Sequence, residues 1–170
     1  MSLISMAIKI NVSQQDQEKI NQMLEESHYA RQKRKFHCTI GFIEKMIPSE
    51  EASSFGQTIT HDLQQLIDQE PLDYEVDRAA HLFGHVLVFI PTLQSQARLK
   101  KLNLWLDHRI QEISGKQWGL NEQSVSENYK PHLTLWHTHR PDHRFKKLEK
   151  VAGTHPSYHL TDASYVLFNQ

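Results

Sequence analysis

Two short segments of the chain each place a histidine and a threonine two residues apart within an apolar run. They are Phe36-His37-Cys38-Thr39-Ile40 and Pro131-His132-Leu133-Thr134-Leu135. Side chains at i and i+2 of a β-strand leave the same face, so each pair points one way if the segments are strands. Two imidazoles can act as base and acid, and two hydroxyls can donate to phosphate oxygens. The residue types therefore suit metal-free phosphoryl transfer.

Context separates these two segments from other matches to the same short pattern. The chain holds four His-x-Ser/Thr matches, and the other two begin at His155 and His159. A proline follows His155, which is typical of an edge or a turn. His159 leads into Asp162 and stays a minor competitor for the second site. Only the segments at His37 and His132 continue at the strand period, with the intervening apolar residues predicted to face a core: Cys38, Ile40, Leu133 and Leu135.

The elements that must position these motifs alternate along the chain. Periodicity and capping residues predict strands at 6–12, 36–43, 72–79, 85–90, 132–138 and 158–168, and helices at about 13–26, 48–69, 92–114 and 145–151. Ser13 is the expected N-cap of the first helix, and Gly115 the expected stop of the third. A strand–helix–motif strand–helix–strand unit thus occurs twice. We expect one α+β domain over residues 1–170, with two pseudo-symmetric lobes of antiparallel sheet, outer helices and an active-site cleft between the lobes.

Length and composition bound the class of protein. With 170 residues, 38% hydrophobic and 23% charged, the chain is typical of one soluble domain. The stretch 1–7 is short and soon followed by Lys9, unlike a secretory signal, and no apolar run approaches the ~20 residues of a membrane span. Cys38 is the only cysteine. No internal disulfide is possible, and we expect a cytoplasmic protein that contacts no membrane and is a monomer.

Charge is unevenly distributed around a net value of −1, which argues against a general nucleic-acid coating protein. Basic clusters flank both motifs and could attract a polyphosphate or an RNA backbone. Solvated loops are the alternative interpretation. The clusters are Arg31, Lys33, Arg34 and Lys35 before the first motif, and Arg140, Arg144, Lys146 and Lys147 after the second.

Taken together, these segments resemble the two-histidine (2H) phosphoesterase superfamily, the RNA 2′,3′-cyclic phosphodiesterase and 2′-5′ RNA ligase-like proteins. Two His-x-Thr/Ser-x (HxTx) motifs define that family. A Phe-Gly element before an apolar strand and an aromatic-Lys-Pro lead-in to the second motif are supporting features. Here they are Phe83-Gly84 and Tyr129-Lys130-Pro131. The resemblance extends from the first strand to the last.

The resemblance implies a cofactor-independent phosphodiesterase that acts on a 2′,3′-cyclic phosphate or a 2′-5′ linkage, at an RNA end or in a nucleotide. His37, Thr39, His132 and Thr134 would be its catalytic residues. Candidate substrate-binding residues are Arg34, Phe83, Lys130 and Trp136. Bacterial ligase-like members often carry an arginine three residues after the second threonine, where this chain has His137. Phosphate contacts of that arginine are not carried over, although Arg140 or Lys130 could replace it.

Two other classes of function fit parts of this sequence. A non-catalytic nucleotide- or RNA-binding module could use the same cleft, although both histidines and both threonines are intact. A zinc or nickel site could use His137, His139 and His143, but no paired cysteine or well-spaced carboxylate accompanies them. We therefore expect no metal. The six glycines are scattered, which argues against phosphate-binding glycine loops and thus against a kinase or a dehydrogenase.

Overall fold

A computed structural model describes residues 2–138 and 142–168 of the chain. Six strands are present: β1 (Leu3–Val12), β2 (His37–Pro48), β3 (Leu72–Leu82), β4 (Val86–Pro91), β5 (Leu133–His137) and β6 (Ser157–Phe168). The four α-helices are α1 (Gln14–Glu26), α2 (Ser49–Gln69), α3 (Leu93–Ser114) and α4 (Phe145–Ala152). Two short 3₁₀ turns lie between α3 and β5. The order of elements is the predicted duplicated unit, and the α+β prediction is confirmed.

The strands pair in the closed order β1-β2-β5-β4-β3-β6, and every pairing is antiparallel. Exchanging β1, β2 and β3 with β4, β5 and β6 leaves the set of pairings unchanged, which is the topology of a pseudo-two-fold axis. The third strand of each half joins the sheet of the other half, since β3 pairs with β4 and β6 pairs with β1. The two lobes are therefore β6-β1-β2 and β3-β4-β5.

Local capping groups set the start of α1 and both ends of α3, and the roles of Ser13 and Gly115 are as predicted. The Ser13 hydroxyl accepts a hydrogen bond from the Asp16 amide at 3.1 Å and begins α1. The Thr92 hydroxyl accepts one from the Ser95 amide at 3.3 Å and begins α3. Gly115, at φ +63°, ends α3 in the left-handed conformation that glycine adopts easily. Among the described residues, no helix combines the length and the apolar character needed to cross a membrane.

Three strands extend by three or more residues beyond the bounds that their sequence pattern predicts. β1 begins at Leu3, β2 continues to Pro48 and β3 continues to Leu82. The polar residues of β2 near Lys45 interrupt its alternation, yet β1 pairs with β2 as far as Pro48. Lys45 has φ +46°, and its amide donates to the Ser5 hydroxyl at 2.9 Å, so a β-bulge accommodates this stretch.

A row of apolar residues crosses four neighbouring strands and anchors the core beneath the two motifs. Ile10, Cys38, Leu133 and Phe89 are register partners in turn, and all four are fully buried. The predicted inward positions are confirmed, since Ile40 and Leu135 are fully buried too. The row fixes the register in which β1, β2, β5 and β4 meet, because a slip of one residue would expose it.

Candidate active site

The two motifs meet where β2 pairs with β5. The pairing joins Cys38 to Leu133. In an antiparallel register the residues one step away are then His37 beside Thr134 and Thr39 beside His132. All four side chains are half-buried and lie on the face opposite the apolar row. The fold thus brings together the four residues that the sequence predicts to be catalytic.

Matching backbone contacts orient the two imidazoles. His37 Nδ1 donates to the Lys35 carbonyl at 3.2 Å, and His132 Nδ1 donates to the Lys130 carbonyl at 3.0 Å. A carbonyl oxygen can only accept, so Nδ1 carries the proton in both rings. Each Nε2 is left for proton exchange with a ligand. The same offset of two residues in both motifs reflects the internal duplication.

A cleft of about 470 Å³ opens beside the motifs. Its lining includes Thr39 and His132, together with the predicted ligand-binding residues Phe83 and Lys130. The rest of the lining is Gly41, Phe42, Gln123, Ser124, Asn128 and Tyr129. Within residues 2–138 and 142–168, neither the Thr39 nor the Thr134 hydroxyl has a hydrogen-bond partner. Both hydroxyls are therefore available to donate to an anion.

The surroundings of His37 favour its neutral form. Burial lowers its pKa most, and the positive charges of Lys9 and Arg34 and the ring of His132 lower it further. The hydrogen bond to the Lys35 carbonyl acts in the opposite direction. Because the pKa falls below the ordinary histidine range, His37 is suited to accept a proton near neutral pH.

Phe83 lies in an unusual turn over the cleft. The turn at 82–85 connects β3 to β4, and the His85 amide donates to the Leu82 carbonyl at 3.2 Å. Phe83 and Gly84 have φ +55° and +70°, the pattern of a type I′ turn. Phe83 is 71% exposed, and its ring meets the ring of His132 edge-on at 5.8 Å. An exposed aromatic ring in a strained turn beside His132 fits a stacking surface for a ligand.

Trp136 is not among the residues that line this cleft. The register of β4 with β5 shifts between Thr134 and Trp136, so the strand is not regular there. The Trp136 ring packs on Tyr29 at 5.9 Å. The regular alternation assumed from the sequence misses this bulge, and a role of Trp136 in ligand binding stays a prediction.

Arg34 lies in the irregular segment before β2. α1 holds this segment, because Gln17 donates to the Arg34 carbonyl at 2.9 Å and accepts from the Phe36 amide at 2.8 Å. The charge of Arg34 lowers the pKa of both His37 and His137. Arg34 is therefore close to the first motif, as the sequence predicts.

The sequence predicts no site role for Lys9, and it marks Tyr129 only as part of the lead-in to the second motif. Lys9 is the register partner of Thr39, although nothing in its neighbourhood in sequence points to phosphate chemistry. The available signal was that Lys9 is the only charged residue of β1. Tyr129 is buried, and its hydroxyl donates to the Thr39 carbonyl at 2.8 Å, which ties the lead-in of β5 to β2.

Of the motif residues, Thr39 and His132 line the cleft and His37 and Thr134 do not, and the remaining histidines do not line it either. His159 pairs with Asp73, with Nδ1 to Oδ1 at 2.6 Å. His137 is exposed, and its ring stacks on His85 at 6.3 Å. No three His, Cys, Asp or Glu side chains are grouped to hold a metal in the described part of the chain, and His139 and Arg140 lie outside it.

A larger cavity of about 730 Å³ lies between α2 and α3, lined by residues such as Leu66, Arg98 and Trp105, and it contains neither motif.

Comparison with known proteins gives distant structural likeness. No protein-family model and no curated protein matches the chain. Among solved structures it is similar to Kluyveromyces marxianus Usb1 with uridine monophosphate, at 11% identity and a TM-score of 0.46. It is also similar to a structure of Kluyveromyces marxianus Usb1, at 13% identity and a TM-score of 0.40. Each alignment covers 98% of both chains. Because both TM-scores are below 0.5, conclusions about this chain rest on its own geometry.

Proposed function

We propose that this chain is a metal-independent phosphodiesterase that hydrolyses 2′,3′-cyclic phosphate or 2′-5′-linked RNA or nucleotide substrates. The observation that supports this function is the pairing of β2 with β5, which sets the two histidine–threonine pairs side by side on one face. The matched Nδ1 contacts, which leave both Nε2 atoms for the ligand, support it further.

The proton transfers follow from the surroundings of the two rings. We assign His37 as the base, because burial and nearby cations lower its pKa and keep it neutral. His37 Nε2 takes a proton from water as the water oxygen bonds to phosphorus. The bond from phosphorus to the departing ribose oxygen breaks, and His132 Nε2 gives that oxygen a proton. In ligation, a hydroxyl of a second strand would replace water as the nucleophile, and the same two rings would move the protons.

The threonine hydroxyls stabilise the charge that builds on the non-bridging oxygens. Thr39 and Thr134 are suited to this role because each flanks the opposite histidine, and the hydroxyl of each has no hydrogen-bond partner among the described residues. Losing one preorganised donor of this kind costs about 3 kcal/mol of transition-state stabilisation.

The first test measures turnover of a short oligoribonucleotide with a 2′,3′-cyclic phosphate end, in EDTA. We expect the native chain to open the cycle to a monophosphate. We expect the turnover rate to fall by at least about 100-fold in His37→Ala and in His132→Ala, which is the usual size of an acid–base contribution. His159→Ala is the matched control, since it removes a histidine of the same short pattern that pairs with Asp73 and is not part of the pairing of β2 with β5.

Three outcomes of this test would count against the proposed function. Turnover that survives His132→Ala would exclude the assigned acid and move attention to His159. Turnover that disappears in EDTA and returns with a divalent cation would contradict the metal-independent mechanism. Tight binding of the oligonucleotide without turnover of cyclic or 2′-5′-linked ends would favour the binding-module alternative.

A further inference from the structure

Lys9 extends the polar face of the site by one strand. It is the register partner of Thr39 on β2 and of Ser164 on β6. Neighbouring strands are about 4.8 Å apart, so Lys9 lies one strand spacing beyond the proposed phosphate donor. The side chain is half-buried, which is uncommon for a lysine without a partner.

Arg34 and Lys35 add two charges from a segment that is firmly anchored. Besides the contacts of Gln17, the buried Asn21 donates to the Gln32 carbonyl at 3.0 Å and accepts from the Gln32 amide at 2.7 Å. Both cations act on Lys9, because their charges lower its pKa after the larger effect of burial. The Val12 amide donates to the Phe36 carbonyl at 2.9 Å, so the segment that carries Arg34 and Lys35 runs past the end of β1 that carries Lys9. The three positive charges therefore lie close together before any ligand binds.

The neighbouring Arg31 shows how this chain neutralises a cation when no ligand is needed. Arg31 is paired with both Glu18 and Glu25. By contrast, Lys9, Arg34 and Lys35 form no ion pair within residues 2–138 and 142–168. Leaving three cations together is costly unless an anion joins them.

From this arrangement we propose that Lys9, Arg34 and Lys35 form a second phosphate subsite on the His37 side of the cleft. A reacting phosphodiester carries one negative charge, which the threonine hydroxyls already face, so three further cations fit an additional phosphate. The inference rests on the proposed function and narrows its substrate class. The preferred substrate carries a phosphate next to the reacting one, as an oligonucleotide end does, rather than being a nucleoside cyclic monophosphate.

The binding test compares adenosine 3′,5′-bisphosphate with adenosine 3′-monophosphate by calorimetric titration at low ionic strength. We expect the bisphosphate to bind about tenfold more tightly to the native chain, with the stronger salt dependence. Lys9→Gln should remove most of that preference and Lys9→Arg should keep it. Lys101→Gln, which removes the same charge from the exposed face of α3, should leave it unchanged.

The turnover test uses adenosine 2′,3′-cyclic phosphate with and without a 5′-phosphate. A higher kcat/KM for the phosphorylated form, lost in Lys9→Gln, supports the subsite. Equal binding of the two adenosine phosphates, or a preference that persists in a folded Lys9→Gln protein, overturns it. If neither cyclic substrate turns over but the bisphosphate preference holds and depends on Lys9, the proposed hydrolysis fails while the subsite stands.

Discussion

At the scale of single residues, the protonation of His37 depends on cations from two other parts of the chain. Lys9 comes from β1 and Arg34 from the segment before β2, and both lower the pKa of His37. Burial alone disfavours the charged form of the His37 ring, and the two cations strengthen this effect. The state of the proposed base is thus set by neighbours that its own motif does not contain.

Removing the charge of Lys9 should shift the pH dependence of the reaction. In a bell-shaped profile of kcat/KM, the acid limb reports loss of the base by protonation. Lys9→Gln removes a repulsive charge, so the pKa of His37 rises and the acid limb moves to higher pH. The measurement is a pH–rate profile of the native protein and the variant. An acid limb that stays in place or moves to lower pH would contradict His37 as the base.

At the scale of elements, the β3–β4 turn keeps an aromatic residue where the backbone disfavours it. Positive φ costs a non-glycine residue about 1–2 kcal/mol, and asparagine is preferred at the first central position of a type I′ turn. Phe83 occupies that position and contacts His132 instead of packing into the core. Backbone strain near a site is typical of residues retained for ligand contact.

Phe83→Asn should therefore separate stability from activity. We expect the free energy of unfolding to rise by up to about 1 kcal/mol, because asparagine tolerates positive φ. We expect KM for the cyclic-phosphate substrate to rise as the ring over the cleft is lost. Denaturant unfolding and steady-state kinetics measure the two effects. Lys116→Asn is the control, since Lys116 has φ +67° next to Gly115, outside the cleft lining. Unchanged kinetics in Phe83→Asn would show that the Phe83 ring does not contact the substrate.

At the scale of the whole molecule, a buried asparagine joins three parts of the fold. Asn103 on α3 donates to the Ile40 carbonyl on β2 at 2.7 Å and to the Ser124 carbonyl at 2.9 Å. Its side-chain oxygen accepts from the Ser126 amide at 3.0 Å. The segment around Ser124 lines the cleft and leads to Tyr129 and Lys130. One amide thus couples an outer helix to the geometry of the site.

Asn103→Ala should lower both stability and activity. It removes the side-chain partner of three backbone groups, of which the Ile40 carbonyl is buried, and we expect a loss of about 2–3 kcal/mol in the free energy of unfolding. We expect kcat/KM to fall as well, because Lys130, whose carbonyl orients His132, comes directly after the segment that Asn103 holds. Gln57→Ala, on the exposed face of α2, should change neither. Full activity in a folded Asn103→Ala protein would show that the segment is positioned by other contacts.

The sequence by itself determined the features that depend on residues close together along the chain. Strand alternation placed His37 and Thr39 on one face and Cys38 on the other, and capping by Ser13, Thr92 and Gly115 set helix ends. These follow from backbone geometry over a few residues, which is why they could be read locally. Duplication of the unit also predicted that the two motif strands would meet.

Only the tertiary structure decided which distant residues surround those motifs. The bridge of Cys38 to Leu133 put each histidine beside the other motif's threonine, and the register of β1 put Lys9 beside Thr39. The bulge before Trp136 and the exchange of β3 and β6 between the lobes also depend on how distant strands pair. Register between strands far apart in sequence is chosen by how the whole apolar row packs, and no local pattern encodes that choice.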